Sequence, residues 1–287
     1  MLLIDKESGR TSNEVVMYFK KRFKQSKVGH GGTLDPHATG LLIILLGNAT
    51  RFFEYIIELE KEYLFTVQFG AATTTFDACG EKIKQSTKKI KAFDVFNLLK
   101  EFTGEIEQIP PMYSAKKMEG KPLYKLARKG IEVKRRPKKV RVYTLEMISF
   151  DEDKQRAVLR GVVGRGTYIR ALANDMGEKL GVYGFCDEIR RTRIGDHKVE
   201  NATKFLLLQE DKTKAEIINS GNILPNIERR EISKEERQML KNGNIIKINV
   251  TPNVNKLVRL FENNDFIGLG KIEFGFLKSI RLIGDHT

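Results

Sequence analysis

The stretch LLIILL, Leu41 to Leu46, constrains the fold of this chain more than any other. Six apolar residues in a row, closed by Gly47, fall far short of the roughly 18 needed to span a membrane. They predict a short buried strand, and a buried strand requires a core around it. A chain of 287 residues, 40% of them hydrophobic, can supply one large domain or a large domain with a small one.

The segment leading into that strand is GHGGTLDPHATG, Gly29 to Gly40. It sets one carboxylate, Asp35, between Leu34 and Pro36. Glycines at 29, 31 and 32 allow a tight turn and close approach of a ligand. Pro36 biases Asp35 towards extended backbone and so fixes the direction of its side chain. An aspartate in such a loop also suits an Asx-turn or cap. The Lys-Ser/Thr of a phosphate-cradling loop is missing, which argues against a nucleoside triphosphate.

Elsewhere the pattern is mixed. Leu2 to Ile4 read as a strand, and Thr11 with Glu14 has capping-box spacing ahead of a helix carrying Val15, Val16, Phe19 and Phe23 on one face. ATRFFEYIIEL reads as a helix, EYLFTVQFG as a strand, and FDVFNLLKEFTG as a helix ending at Gly104. In KPLYKLARKG, Pro122 suits a first helical turn and Gly130 the end. VRVYTLEMISF and RAVLRGVV read as strands, and Thr167 to Leu180 as a helix stopped by Gly181. Strands and helices without regular alternation predict an α+β fold. A polar boundary near PNIERREISKEE precedes a second capping box, Ser233 with Glu236, a short helix and two or three strands. The expected division is 1–228 and 229–287, with an RNA-binding insertion at about 110–140.

Fifty-one Lys and Arg against 37 Asp and Glu give a formal net charge of +14, which favours a polyanionic partner. Cations interleave with aromatics from Tyr113 through Lys116, Lys117, Tyr124, Lys125 and Arg128, and KRRPKK adds Lys134, Arg135, Arg136, Lys138 and Lys139. That pattern suits nucleic acid; the tyrosines could equally anchor a loop on the core. Four histidines show no ligand spacing, two cysteines cannot make a metal cage, and no nucleophile elbow is present, so neither metal nor cofactor is expected. With no membrane span or secretory pattern, a cytoplasmic protein is expected. In GRGTYIR, Arg170 lies one turn into a helix. It could be a surface cation, or it could pair with Asp35, favouring the charged carboxylate and fixing its direction.

Taken together and in order, GHGGTLDPHATG, KEYLFTVQFG, IPPMYSAKKMEGKPLYKLARKG, GTYIRALANDMGEKLG and IRRTRIG resemble the bacterial tRNA pseudouridine-55 synthases, the TruB family. The resemblance covers Leu2 to the RTRIG stretch and is weaker in the tail. It implies a pseudouridine-synthase fold, with a mixed, mainly antiparallel central sheet flanked by helices and a small β-rich PUA-like tail. It implies isomerisation of uridine 55 in the T loop of tRNA by a monomer without cofactor. Residue by residue it casts Asp35 as the catalytic aspartate, Arg170 as its partner and Tyr63 as the tyrosine stacking on the base. His30, Tyr168, Ile189 and Lys6 become substrate contacts, Lys6 as the lysine that packs beside the catalytic loop. Arg190 and Arg191 join Lys116, Lys117, Arg128, Arg135, Arg136 and Lys138 as RNA-binding positions. Three departures stand out: Glu7 where proline is frequent, His37 where an apolar residue is common, and Ile189 for leucine.

Such chemistry asks a carboxylate to attack covalently and leave again, or to act as a base on the sugar; the residues alone leave both routes open. Extruding the base costs a few kcal/mol, and stacking on Tyr63 could return ~1–3 kcal/mol. Two other classes share some of these features. A non-catalytic RNA-binding or tRNA-folding protein would not need Asp35, and a glycosidase would need a second catalytic acid.

Overall fold

The computed structural model describes residues 1–114, 117–118, 120–127, 129–210, 213–248 and 254–283, without the side chains of 117, 118, 121, 122 and 124. Strands are β1 (Leu2–Lys6), β2 (Val28–His30), β3 (Thr39–Leu46), β4 (Lys61–Phe69), β5 (Ala71–Thr73), β6 (Lys82–Gln85) and β7 (Gly104–Gln108). They continue as β8 (Lys117–Met118), β9 (Lys121–Pro122), β10 (Lys138–Asp151), β11 (Arg156–Val163), β12 (Gly184–Ile194), β13 (His197–Lys198) and β14 (Thr203–Lys204). The tail adds β15 (Arg229–Glu231), β16 (Ile246–Lys247), β17 (Asn255–Glu262), β18 (Asp265–Glu273) and β19 (Phe276–Leu282). Helices are α1 (Ser12–Arg22), α2 (Phe53–Glu58), α3 (Ala92–Leu98), α4 (Leu123–Ala127), α5 (Ile169–Lys179), α6 (Phe205–Gln209) and α7 (Lys234–Lys241).

The main sheet runs β14-β1-β3-β12-β4-β11-β10-β7, with β2 on β3 and β13 on β12. Only the β1–β14 and β3–β12 pairings in it are parallel, so the sheet is mixed and mainly antiparallel. The LLIILL run forms β3, fully enclosed from Leu41 to Leu45. Its residues alternate between two cores. Leu42 and Ile44 pack with Phe19, Phe65, Leu172 and Phe205 beneath α1, α5 and α6. Leu41, Ile43 and Leu45 pack on the other face with Phe52, Ile56, Leu224 and Leu269. Because both faces are covered, no polar alternation is tolerated, and each such burial is worth about 1.5–3 kcal/mol. Leu269 belongs to β18, so the five-stranded tail sheet, β15-β17-β18-β19-β16, helps close the second face.

Local signals act as expected at both capping boxes. Thr11 and Glu14 exchange bonds at the start of α1, and Ser233 and Glu236 do so at α7. Three segments differ from the sequence reading. ATRFFEYIIEL opens as a 3-10 turn, Gly47–Phe52, before α2. Pro122 ends β9, just outside α4. Four strands rather than two or three follow α7. Among the described residues no helix is long and apolar enough to cross a membrane.

Gly40 marks where β3 meets β12. It has φ +100°, and a Cβ there would stand 2.2 Å from the Arg191 carbonyl oxygen and 2.8 Å from its nitrogen. Strain and overlap with backbone on a neighbouring strand add, so Gly40→Ala should cost roughly 3 kcal/mol or more in urea unfolding. A stability change under about 0.5 kcal/mol, the scatter of neutral surface changes, would contradict this reading of the junction.

Candidate active site

Asp35 stands in the loop joining β2 to β3, and that loop is held by buried groups rather than by a ladder. Ser12, at the first position of α1, brackets the backbone of Leu34: its hydroxyl donates to the Leu34 carbonyl (3.0 Å) and accepts from the Leu34 N–H (2.8 Å). The Lys6 ammonium donates to the carbonyls of Glu7 (2.8 Å), Arg10 (2.8 Å) and Pro36 (3.2 Å). The Gly9 N–H also reaches the Pro36 carbonyl, at 2.8 Å. From β12, Arg191 donates to the carbonyls of Gly32 (3.0 Å), Thr33 (3.3 Å) and Leu41 (2.7 Å). The irregular loop has no strand partner for the carbonyls of Gly32, Thr33 and Pro36, and the cations supply one.

Arg170 enters from the first turn of α5, 3% exposed. Its Nη2 donates to Asp35 Oδ1 at 3.1 Å, and Nε lies 2.8 Å from Oδ2 as an ion-pair contact out of hydrogen-bond alignment. Nη1 donates to Asp77 Oδ2 (3.1 Å) and the Thr75 carbonyl (2.8 Å), and Nη2 also to the Tyr113 carbonyl (2.8 Å). Asp77 is buried and fixed in turn: Oδ1 accepts from the Thr75 hydroxyl (2.5 Å) and the Cys79 N–H (3.0 Å). Asp35, by contrast, keeps 32% of its side chain exposed.

That exposed part faces a cavity of about 240 Å³. Tyr63 and Lys61 of β4, Ile189 of β12, Tyr168 before α5, Thr167 and Ser114 also line it. Its walls mix aromatic and apolar groups with the cations Lys61, Arg165, Arg170 and Arg191 around one carboxylate. Lys61 donates to the carbonyls of Ile57 and Leu59, both at 2.5 Å, and burial pulls its ammonium down to about 8. Burial pushes the Tyr168 phenol up, which keeps it a neutral hydroxyl. The Tyr63 hydroxyl lies 3.5 Å from Arg191 Nη1.

The comparisons with known proteins agree with this geometry. The family model "TruB family pseudouridylate synthase (N terminal domain)" matches residues 20–169, and "Pseudouridine synthase II TruB, C-terminal" matches 230–283. The chain belongs to the TruB family of pseudouridylate synthases. It is 40% identical over 284 residues to the tRNA pseudouridine synthase B of Aquifex aeolicus (strain VF5), covering 98% of both chains. It is 38% identical to that of Caldanaerobacter subterraneus subsp. tengcongensis, again over 98% of both. Among solved structures, a Cbf5-Nop10-Gar1 complex aligns over 95% of this chain and 78% of that chain (TM-score 0.68, 24% identity). An H/ACA RNP bound to a substrate RNA containing 2'-deoxyuridine aligns over 99% and 84% (TM-score 0.70, 21% identity). At that identity the structures speak for the pseudouridine-synthase fold.

Within this TruB chain the structure brings Asp35, Tyr63, Arg170, Tyr168 and Ile189 together around the cavity. Three expected contacts need correction. Lys6 is enclosed, its ammonium spent on three carbonyls, so it holds the loop and does not reach a substrate. Arg191 is 1% exposed and donates to loop carbonyls, so it cannot serve as a surface phosphate contact. His30 is not among the residues lining the cavity; its Nδ1 accepts from the Gly32 N–H at 3.3 Å, and burial with the nearby Arg191 charge lowers its pKa, favouring the neutral ring.

Of the other expected RNA contacts, Arg190 is paired with both oxygens of Asp5 at 3.0 and 2.8 Å. Arg135 donates to the carbonyls of Val133 and Pro110. Arg136 and Lys138 are exposed. Lys116 and Arg128 lie outside the described residues, and Lys117 is described only as part of β8.

Asp77 escaped the sequence reading. TTTFDACG looks like an ordinary polar turn, and an Asp accepting no more than an Asx-type bond would be unremarkable there. One signal was available: a buried guanidinium has five N–H donors, more than one carboxylate can occupy. Asp77→Asn should therefore misplace Arg170 and lower kcat on the order of 100-fold while KM for tRNA moves little, as single-turnover kinetics would show. Unchanged kcat would mean that Asp77 does not set Arg170.

Titration gives a second test. Burial lowers Lys6 from 10.5 to about 8. Below pH 8 folded and unfolded chains both carry the proton, so the cost of enclosing the charge is fully present. Between about pH 8 and 10.5 the unfolded chain holds more protons, so this group makes stability rise with pH. Lys6→Met should flatten that rise in urea unfolding series; an identical slope would exclude the assignment.

Proposed function

We propose that this enzyme isomerises uridine 55 in the T loop of tRNA to pseudouridine, with Asp35 as the nucleophile on a flipped-out base. The observation that carries the reading is Asp35 itself: one carboxylate, oriented by a buried guanidinium, facing a cavity with a tyrosine beside it. The family relationship supplies the reaction class, and the names of the relatives supply tRNA as the substrate.

In the reaction the N1–C1' bond of uridine breaks and a C5–C1' bond forms. The proton of C5 is lost, and N1 ends with a proton of its own. Asp35 attacks, is released when the new bond closes, and leaves the enzyme unchanged. Arg170 keeps the attacking oxygens in place throughout, so no reorganisation is needed as charge moves. Tyr63 offers a face on which the detached uracil can turn without escaping, and Ile189 bounds the space from β12. A base held between Tyr63 and Ile189 would displace the water that would convert isomerisation into hydrolysis. No second carboxylate lines the cavity among the described residues, which supports a synthase over a glycosidase.

The everted nucleotide is best supplied by the T stem-loop, whose phosphates would meet the exposed cations Arg136 and Lys138. In this reading the acting unit is a monomer and its substrate the cytoplasmic tRNA pool. His30, whose Nδ1 accepts from the Gly32 N–H, would act on base flipping through the conformation of Gly31 and Gly32.

The test is to incubate unmodified tRNA with purified enzyme and map the isomerised uridine. Asp35→Asn should abolish pseudouridine while tRNA affinity stays within a few-fold. Pseudouridine formation that survives this change would refute the reading and favour an RNA-folding role. A primary isotope effect from deuterium at C2' of the substrate would reassign Asp35 from nucleophile to base on the sugar.

A further inference from the structure

The fold brings His37 beside Asp77 and Cys79, about forty positions further along the chain. Among the described residues, His37, Asp77 and Cys79 each offer one ligand atom, all within 4.8 Å of one another. His37 Nδ1 lies 3.7 Å from Asp77 Oδ2, too far for a hydrogen bond. With zinc bonds of about 2.0–2.2 Å to nitrogen and oxygen, a tetrahedral pair of such ligands stands roughly 3.3–3.5 Å apart, within a small side-chain shift of that separation.

The surroundings favour a ligand. The His37 side chain is 14% exposed, and its Nε2 is enclosed with no hydrogen-bond partner. Nδ1 is the ring nitrogen turned towards Asp77, so a metal there would take Nδ1 and leave the proton on Nε2. Asp77 is already oriented by the Thr75 hydroxyl and the Cys79 N–H on Oδ1, the kind of outer hydrogen bonding that sets up a metal ligand. Cys79 is exposed, which leaves an entrance from solvent. A nitrogen, an oxygen and a thiolate suit zinc rather than magnesium or calcium.

We infer that His37, Asp77 and Cys79 form a Zn²⁺ site that competes with Arg170 for Asp77 and so inhibits the enzyme. Zinc would bind Oδ2 of Asp77, the oxygen that accepts from Arg170 Nη1 at 3.1 Å. A dication there withdraws the acceptor and repels the guanidinium, loosening the group that orients Asp35. Binding displaces the thiol proton of Cys79 to solvent, and water completes the coordination. The inhibition rests on the proposed activity; the binding does not.

Calorimetric titration of the purified protein with Zn²⁺ should show one saturable site. Bound Zn²⁺ should protect Cys79 from alkylation, and because Cys186 is buried the labelling reports Cys79. Turnover on tRNA should fall as the site fills and return when a chelator removes the metal. Cys79→Ser should retain metal-free turnover yet bind Zn²⁺ roughly 100-fold or more weakly and resist inhibition, a larger loss than outer-shell changes give. His37→Gln, read by binding alone, should weaken the site similarly. No saturable binding, or equal binding by parent and Cys79→Ser, would overturn the site. Binding that protects Cys79 but leaves turnover unchanged would overturn the competition with Arg170. Binding and alkylation are read without substrate, so their failure is distinct from a failure of the proposed reaction.

Discussion

One guanidinium holds the active site together. Arg170 joins Asp35, Asp77 and the carbonyls of Thr75 and Tyr113, drawing in segments up to 135 positions apart in sequence. A lysine could not replace it, because three donors on a single nitrogen cannot serve two carboxylates and two carbonyls along separate directions. Enclosing such a cation is costly, and removing one partner of a buried pair costs about 3–5 kcal/mol. The return is directional. With Asp77 and the two carbonyls fixing the far side of the fork, the near side meets Asp35 in one orientation, and the carboxylate that faces the cavity has no freedom to turn away.

The same logic repeats behind the catalytic loop. Lys6 and Arg191 spend their charges on loop carbonyls, not on a polyanion. A loop rich in glycine can bend sharply around a nucleotide only if something else satisfies its backbone, and here two buried cations from β1 and β12 do so. The net charge of +14 is therefore a mixed signal. Part of the basic content is internal scaffolding, and only the outward-facing remainder, Arg136 and Lys138 among it, can contribute to the counterion release that governs RNA affinity.

What could be read in advance follows from which forces are local. The buried strand, both capping boxes and the order of the motifs are written in neighbouring residues, and they appear where expected. Pairing Asp35 with Arg170 needed chemical reasoning across 135 positions, but the residue types admitted it. The strand β12 was not legible. GFCDEIRRTRI has the charge of a surface segment, yet it runs between β3 and β4 in the middle of the sheet, with register shifts near Cys186 and Arg191. Its charges are neutralised by partners brought from β1 and from the start of β4, such as Asp5 for Arg190 and Glu60 for Arg193. Asp77 and the orientation of Lys6 were hidden for the same reason: whether a charged side chain points inward depends on acceptors that only the tertiary fold assembles.

The tail sheet shows how far that assembly reaches. Leu269 of β18 packs with Leu41, Ile43 and Leu45, and Phe266 meets Phe52 at 5.5 Å between ring centres. Arg51 donates to the Leu282 carbonyl at 2.6 Å across the same junction. The C-terminal region thus does more than stand beside the main sheet. It covers the face of β3 opposite the helices, and β3 is the strand into which the Asp35 loop runs. A strand buried on both faces cannot be rigid unless both covers are present, because an uncovered row of Leu and Ile would leave roughly 25 cal/mol for every Å² in contact with water. The placement of a single carboxylate oxygen therefore depends on packing contributed from the other end of the chain.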